Sequence, residues 1–166
     1  MALFSDPFDL PAGRLLGLDL GQARHGVAVC DETGLLATPV ATLARARTRA
    51  ADFAAVAALV SREKAVGVLV GLPRGQGEAP SAQARWVRRY TGRMAGFLSV
   101  PVAFWDETLS SHDAHQLPSV ASGRVGVDAV AAALILQGFL DARPAARKVS
   151  TRAMPDVSSE PSWGER

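Results

Sequence analysis

The stretch RLLGLDLGQARHGVAVCDETGLLATPVATL, residues 14–43, decides the fold of this chain. It contains three apolar runs separated by turn signals, among them Gly21 and the tetrapeptide Asp31-Glu32-Thr33-Gly34. Short apolar runs joined by tight turns are typical of antiparallel strands. The sequence therefore predicts a three-stranded meander, with strands over 14–21, 25–31 and 35–43.

Beyond the meander, helical and strand patterns alternate. Apolar residues recur at helical spacing over 48–64 and 81–98, and a third, strongly apolar helix is predicted over 127–141. Between them, 65–73 and 100–107 are continuous apolar runs of the kind that strands buried on both faces show. Alternation of this kind gives parallel strands with right-handed crossovers. The predicted fold class is α/β, a mixed five-stranded sheet flanked by helices.

The two ends of the chain lack a clear period. Residues 1–13 and 142–166 mix Pro, Gly, Ser and charged residues, so we expect an N-terminal and a polar C-terminal tail around a domain over 14–141. A short helical piece is predicted from Ser110. A length of 166 residues with 48% apolar content is sufficient for one domain of ordinary size.

Composition points to a reduced, cytoplasmic protein. The chain has a single cysteine, Cys30, which we expect in the core, and no apolar run long enough to cross a bilayer. Its first residues lack the pattern of a signal peptide, and no membrane partner is expected. The formal charge is only +2, but nearly all of the 18 basic residues are arginine, which suits phosphate contacts. A genome that favours arginine explains this bias equally well.

Three acids at the edges of apolar segments are the candidate catalytic residues. Asp19 lies between Leu18 and Leu20, Glu107 is at the end of the last predicted strand, and Asp128 lies at the start of the last long helix. An ionised carboxylate among apolar neighbours costs several kcal/mol unless it is paired or holds a metal. Sites in open α/β sheets lie outside the carboxyl ends of the strands, so the three acids are expected to converge there.

Clustered carboxylates repel one another unless a cation joins them. Oxygen ligands favour Mg²⁺ or Mn²⁺, and a pair of such ions roughly 4 Å apart can hydrolyse a phosphodiester. Structural roles stay open for two of the acids. Asp19 could accept a hydrogen bond from the glycine turn that follows it, and Asp128 could be an acid that the helix dipole favours at an N-terminus.

Several arginines are candidates for nucleic-acid binding. Arg24, in the turn beside Asp19, could contact phosphate or pair with Asp31. Arg74 lies in a glycine-rich loop, where a close approach to a ligand and simple loop flexibility are equally good explanations. Finally, a basic stripe on the second helix could follow a nucleic-acid backbone or be a solvated face; it consists of Arg85, Arg89 and Arg93.

Four blocks of the sequence resemble the YqgF family in order and spacing. They are GLDLGQARHGVAVCDETGLLATPVATL, VGLPRGQGEAPSAQA, VAFWDETLS and VDAVAAALILQGFLD, and the resemblance covers residues 14–141. Members of this family are described as pre-16S ribosomal RNA nucleases and, earlier, as Holliday junction resolvases. The resemblance implies a ribonuclease-H-like fold with strand order 3-2-1-4-5. It also implies that Asp19, Glu107 and Asp128 are the metal-binding and catalytic acids.

The same resemblance implies a nuclease of the two-metal-ion type that processes the 5′ end of precursor 16S ribosomal RNA in ribosome biogenesis. The expected partners are precursor ribosomal RNA, the ribosomal subunit or branched DNA, with the protein a monomer or homodimer. Two alternatives are a Holliday junction resolvase and a non-catalytic RNA-binding factor in ribosome assembly or transcription. The chain departs from the family pattern at Thr108, where arginine is usual, and at Gly126, which leaves Arg124 as the basic residue before Asp128.

Overall fold

A mixed β-sheet with helices on both faces forms the centre of the protein. The computed structural model describes residues 2–73, 79–106 and 126–144. Its strands are β1 (Leu3–Phe4), β2 (Leu15–Leu20), β3 (Arg24–Cys30), β4 (Ala37–Ala44), β5 (Gly67–Leu72) and β6 (Val102–Asp106). Its α-helices are α1 (Arg49–Arg62), α2 (Ala82–Ala95) and α3 (Val127–Ala142), and a short 3-10 helix spans Pro7–Asp9.

The order of strands in the described sheet is β1-β6-β5-β2-β3-β4. The segments β2, β3 and β4 form the predicted antiparallel meander, and β5 and β6 continue the sheet in parallel. The mixed α/β sheet is therefore confirmed, with the five predicted strands in the expected order, 3-2-1-4-5. The predicted number of strands was one too low, because β1 adds a sixth, parallel to β6.

Residues expected in the two tails pack against this sheet. Leu10 is buried, and the ring of Phe8 stacks on that of Phe139, with 5.7 Å between the ring centroids. At the other end, Arg143 is buried and donates a hydrogen bond to the Leu10 carbonyl oxygen. Two isolated apolar residues make no periodic pattern, which is why the sequence did not indicate this packing. The helix predicted from Ser110 and the rest of the C-terminal segment, from residue 145, lie outside the described residues.

Hydroxyl caps fix where two of the helices begin. Thr48 accepts a hydrogen bond from the Ala51 amide at the start of α1, and Ser81 accepts one from Ala84 at the start of α2. Such caps satisfy amides that have no partner within the helix. Among the described helices, none is both long enough and apolar enough to span a membrane.

Two apolar layers hold the helices to the sheet. On one face α1 and α2 cover the sheet, and α2 points Tyr90 and Met94 inward, whereas Phe97, just beyond the helix, is 59% exposed. On the other face α3 covers the sheet through Leu136 and Phe139. Cys30 is buried in this second layer, as predicted.

Three glycines let α3 lie directly on the central strands. A Cβ atom added at Gly17 would lie 2.9 Å from the Leu136 Cβ, and one added at Gly71 would lie 2.5 Å from the Ile135 Cδ1. At Gly26 it would overlap the backbone carbonyl oxygen of Asp128. Since backbone cannot move aside as a flexible side chain can, Gly26 sets how closely the first turn of α3 approaches β3.

We expect Gly26→Ala to lower the free energy of unfolding by about 3 kcal/mol or more, because the new methyl group forces the start of α3 off the sheet. Gly92→Ala is the matched control, since nothing among the described residues lies within 4 Å of a Cβ at Gly92 in α2. The control is expected to gain about 0.5–1 kcal/mol from better helix propensity. Urea denaturation of both variants measures the difference, and equal effects of the two substitutions would contradict the packing described here.

Candidate active site

Asp19 lies near the carboxyl end of β2. Its neighbours Leu18 and Leu20 are buried in the core, while Asp19 itself is half-buried and pairs with Gly26 of β3. Residues directly opposite each other in an antiparallel pair have their side chains on the same face of the sheet. Because Asp128 covers Gly26, Asp19 lies on the face of the sheet that carries α3.

Asp128 is the second residue of α3 and comes to the same edge of the sheet. The helix begins after Gly126, which provides no side-chain cap. A Cβ atom at Gly126 would lie 2.6 Å from the Thr42 Oγ1 of β4. The glycine that departs from the family pattern thus has a packing reason here, because a basic side chain at this position would have to displace Thr42.

The two carboxylates interact through their charges. Burial raises the pKa of Asp19 above its usual value, and the negative charge of Asp128 raises it further. The structure thus brings together two of the predicted acids, which are far apart in the chain. A positive charge placed between them would offset their repulsion and favour the ionised form of both.

Arg24 supplies one positive charge at this site. Its Nε lies 2.8 Å from the Asp128 Oδ2, with the arginine side chain 64% exposed and that of Asp128 31% exposed. Of the two roles left open for Arg24, the structure does not show the pairing with Asp31. Asp31 instead accepts hydrogen bonds within its own turn from the Thr33, Leu35 and Leu36 amides.

The glycine turn after Asp19 is closed by backbone. The Gly21 amide donates to the Arg24 carbonyl oxygen, over 2.9 Å. This amide therefore has a partner other than Asp19.

The structure describes only some of the other predicted site residues. Arg85 and Arg89 are exposed on α2. Glu107 directly follows the last residue of β6 in the chain, but it lies outside the described residues, and so do the remaining two arginines, Arg74 and Arg124.

The pair of acids has the chemistry of a divalent-cation site. Carboxylate oxygens are the ligands that Mg²⁺ and Mn²⁺ prefer, so Asp19 and Asp128 fit such an ion. Over residues 2–73, 79–106 and 126–144, no group of three or more His, Cys, Asp or Glu side chains could hold a metal. The described part of the chain thus offers two carboxylates for such an ion.

A buried polar network on the opposite face was not predicted from the sequence. The Arg45 Nε lies 2.5 Å from the Asp52 Oδ2, and the Tyr90 hydroxyl donates to the same carboxylate over 3.0 Å. The hydroxyl has one hydrogen, so the His25 Nε2, 3.1 Å from the Tyr90 oxygen, must be the donor in that contact. Burial lowers the pKa of His25 and favours its neutral form, and the charge of Arg45 adds to this. Asp52 gave no signal because acids are common in the first turn of any helix.

Residues 13–142 match the family model described as RuvX: Holliday junction resolvase. The chain belongs to the RuvX family. The YqgF membership expected from the four sequence blocks is thereby confirmed.

Curated relatives of this RuvX-family chain are similar over most of their length. A protein of Anaeromyxobacter sp. (strain Fw109-5) is 44% identical over 138 residues, covering 80% of this chain and 99% of the relative. One from Syntrophus aciditrophicus (strain SB) is 39% identical over 135 residues, covering 78% and 89%. Both relatives carry the name "Putative pre-16S rRNA nuclease".

A solved structure supports the fold. The RuvC of T. thermophilus in complex with a Holliday junction substrate matches with a TM-score of 0.55, covering 76% of this chain and 92% of that one. At 13% sequence identity, the likeness shows that the two chains share a fold. The ribonuclease-H-like prediction is confirmed by this comparison.

We expect Asp19→Asn to raise the stability of the metal-free RuvX-family protein at pH 7, by less than about 1 kcal/mol because water screens the half-buried site. A carboxyl whose pKa is raised on folding costs stability when ionised, so the gain should shrink as pH falls toward the ordinary value of 3.8. Thermal melts from pH 4 to pH 8 measure this trend.

Glu32→Gln provides the control, because Glu32 is exposed in the turn between β3 and β4, at the other end of the sheet and outside any helix. It should show no gain at pH 7. An Asp19→Asn variant that melts below the parent at pH 7 would contradict the electrostatic account of the site.

Proposed function

We propose that this protein is a metal-dependent nuclease that hydrolyses phosphodiester bonds and processes the 5′ end of precursor 16S ribosomal RNA. The observation that carries the proposal is the facing pair of carboxylates, Asp19 and Asp128, at one edge of a RuvC-like sheet. The names of relatives that are 39–44% identical support ribosomal RNA as the substrate. The proposed place of action is the cytoplasm, on RNA of the assembling ribosomal subunit.

The metal ligands in this proposal are Asp19 and Asp128, completed by Glu107 as the third carboxylate. Glu107 follows β6 directly, and β6 is joined to β2 through β5, with all three strands parallel. Bound Mg²⁺ or Mn²⁺, as one ion or a pair, would activate a water molecule and stabilise the leaving oxygen.

The chain's own residues prepare the site for that chemistry. The sheet fixes Asp19, because β2 is hydrogen-bonded on both sides, to β3 and to β5. Asp128 is fixed by the contact of α3 with Gly26. Rigid support of this kind reduces the reorganisation that catalysis requires. Arg24 neutralises Asp128 in the metal-free protein and is close enough to contact a phosphate that enters.

Further arginines are proposed to bind the phosphates of the substrate. Arg85 and Arg89 lie exposed on α2, and the Arg85 Nη1 is held 2.6 Å from the Pro80 carbonyl oxygen. Arg74 and Arg124 belong to this proposal on sequence grounds alone. Such contacts position a nucleic acid without reading its sequence.

Cleavage of four-way DNA junctions is a second candidate function. The description of the matching family model favours it. This reaction would need a symmetric dimer that presents two sites to matched strands. A comparison of RNA and DNA substrates separates the two functions.

We expect Asp19→Asn and Asp128→Asn each to lower Mn²⁺-dependent cleavage of a labelled 16S precursor by on the order of 10²–10³-fold, while both variants stay folded. Asp141→Asn, on the same helix as Asp128, should cleave at the parent rate. A four-way DNA junction is assayed in parallel. Full activity in either acid variant would contradict the proposal, and RNA binding without any cleavage by the parent would favour a non-catalytic assembly factor.

Arg24→Ala is expected to tighten Mn²⁺ binding by about fivefold, because it removes the positive charge beside Asp128. The same substitution should weaken RNA binding if Arg24 also contacts phosphate. Calorimetric titration with Mn²⁺ and fluorescence anisotropy with RNA measure the two effects separately. Arg62→Ala is the control, since Arg62 pairs with Glu63 at the opposite edge of the sheet, and should change neither.

A further inference from the structure

The junction between β4 and α1 carries arginine at every second residue. We call residues 45–49, with the sequence RARTR, the arginine segment. It begins directly after β4 ends at Ala44, and Arg49 is the first residue of α1. Ala44 pairs with Arg24 in the sheet, and the Arg45 amide donates to the Ala23 carbonyl oxygen over 3.0 Å. The segment therefore lies beside the turn that carries Arg24.

The first arginine of the segment is a structural anchor. The Arg45 guanidinium contacts Asp52, lies 3.3 Å through Nη1 from the Gln22 carbonyl oxygen, and sits over the Tyr90 ring at 5.0 Å from its centroid. Asp52 also accepts the Ala46 amide, over 2.5 Å. These contacts hold the start of the segment, and the cap that begins α1 holds its end. Its backbone is thus fixed before any ligand binds.

The other two arginines contribute nothing visible to this framework. Arg47 and Arg49 are exposed and form no ion pair with any residue in the described part of the chain. Arg49 lies at the N-terminal end of α1, where the helix dipole disfavours a cation. The first-turn acid that could have compensated it, Asp52, is already paired with Arg45. The fixed backbone therefore presents two positive charges to solvent, and the one on Arg49 has a small cost to stability.

The position of the segment relates these charges to the acid pair. Since β3 is antiparallel to both β2 and β4, the carboxyl ends of β2 and β4 lie at the same edge of the sheet. This edge carries Asp19 on β2, Arg24 on β3 and the arginine segment after β4. Two strand spacings, roughly 10 Å, separate β2 from β4. An RNA strand whose phosphodiester is held at the acid pair would therefore pass within reach of the arginine segment.

We propose that Arg47 and Arg49 form a binding surface for the RNA backbone that flanks the cleaved bond, with Arg45 as its rigid support. The inference rests on the proposed nuclease function, because the acid pair defines where the substrate lies. Exposed guanidinium groups on a fixed backbone suit phosphate oxygens, since the segment itself loses little conformational freedom when they bind. A polyanionic backbone is favoured over an acidic protein because the surface shares its edge with the phosphodiester site.

The test compares the double variant Arg47→Ala/Arg49→Ala with Arg62→Ala/Lys64→Gly. The control pair removes the same charge from the C-terminal end of α1, at the opposite edge of the sheet, where exposed Lys64 has a left-handed φ of 53° that glycine accepts. Binding of a labelled precursor fragment that spans the mature 5′ end is measured by anisotropy in EDTA, over a range of salt concentrations. Cleavage by both variants is then measured with Mn²⁺.

We expect the double variant to bind RNA roughly tenfold more weakly and to lose about 1.4 from the slope of log affinity against log salt, for two single-strand phosphate contacts. KM should rise with kcat unchanged, and the melting temperature should stay level or rise. The control pair should match the parent. Parental affinity and slope in the double variant, or an equal loss in the control, would overturn the proposal.

Further arms separate the remaining outcomes. Arg47 lies outside both β4 and α1, so the single variant Arg47→Ala is expected to fold. A loss of RNA affinity in this variant supports the surface even if the double variant unfolds. Displacement of RNA by polyglutamate at equal charge would indicate an acidic protein partner and overturn the assignment to RNA. Binding in EDTA is measured without cleavage. A parent protein that binds RNA through these arginines but never cleaves it would therefore contradict the nuclease proposal and still support the binding surface.

Discussion

The close approach of α3 to the central strands is the constraint on which the candidate site depends. Glycines on β2, β3 and β5 provide a floor without side chains, and the helix rests on it through Ile135, Leu136 and the backbone of Asp128. Dispersion contacts reward this approach only at van der Waals distance. The same contact that fills the core therefore carries Asp128 to Asp19, so packing and the chemistry of the site are inseparable here.

On the opposite face of the sheet, hydrogen bonds and an ion pair fix the residues at this edge. There a buried polar network, His25–Tyr90–Asp52–Arg45, joins β3 to both covering helices and to the end of β4. Satisfied buried networks are rigid because each member is held by its neighbours. One face thus positions the carboxylates, and the other positions the arginines that follow β4. The carboxylates and these arginines lie at the same edge of the sheet, at the carboxyl ends of β2 and β4.

Comparison with known proteins shows which parts of this arrangement the fold alone provides. The chain has the same fold as a RuvC that is 13% identical to it, and its relatives within the family are about 40% identical. A common fold does not fix a substrate, which depends on the groups placed at the site. In this chain those groups include Gly126, packed against Thr42, and an arginine segment anchored by Arg45.

The sequence by itself determined the elements and one acid. Periodicity located the five main strands and the three helices, and Asp19 stood out because a carboxylate between two leucines of a strand needs a partner. Asp128 was named from its place at the edge of an apolar segment, and the resemblance of whole sequence blocks then supported it, since an acid at a helix start is unremarkable alone. Only the tertiary structure decided that Arg24 pairs with Asp128 rather than Asp31, that β1 adds an edge strand, and that Asp52 binds Arg45. Such contacts depend on distances between segments that packing brings together, and no local pattern of residues encodes those distances.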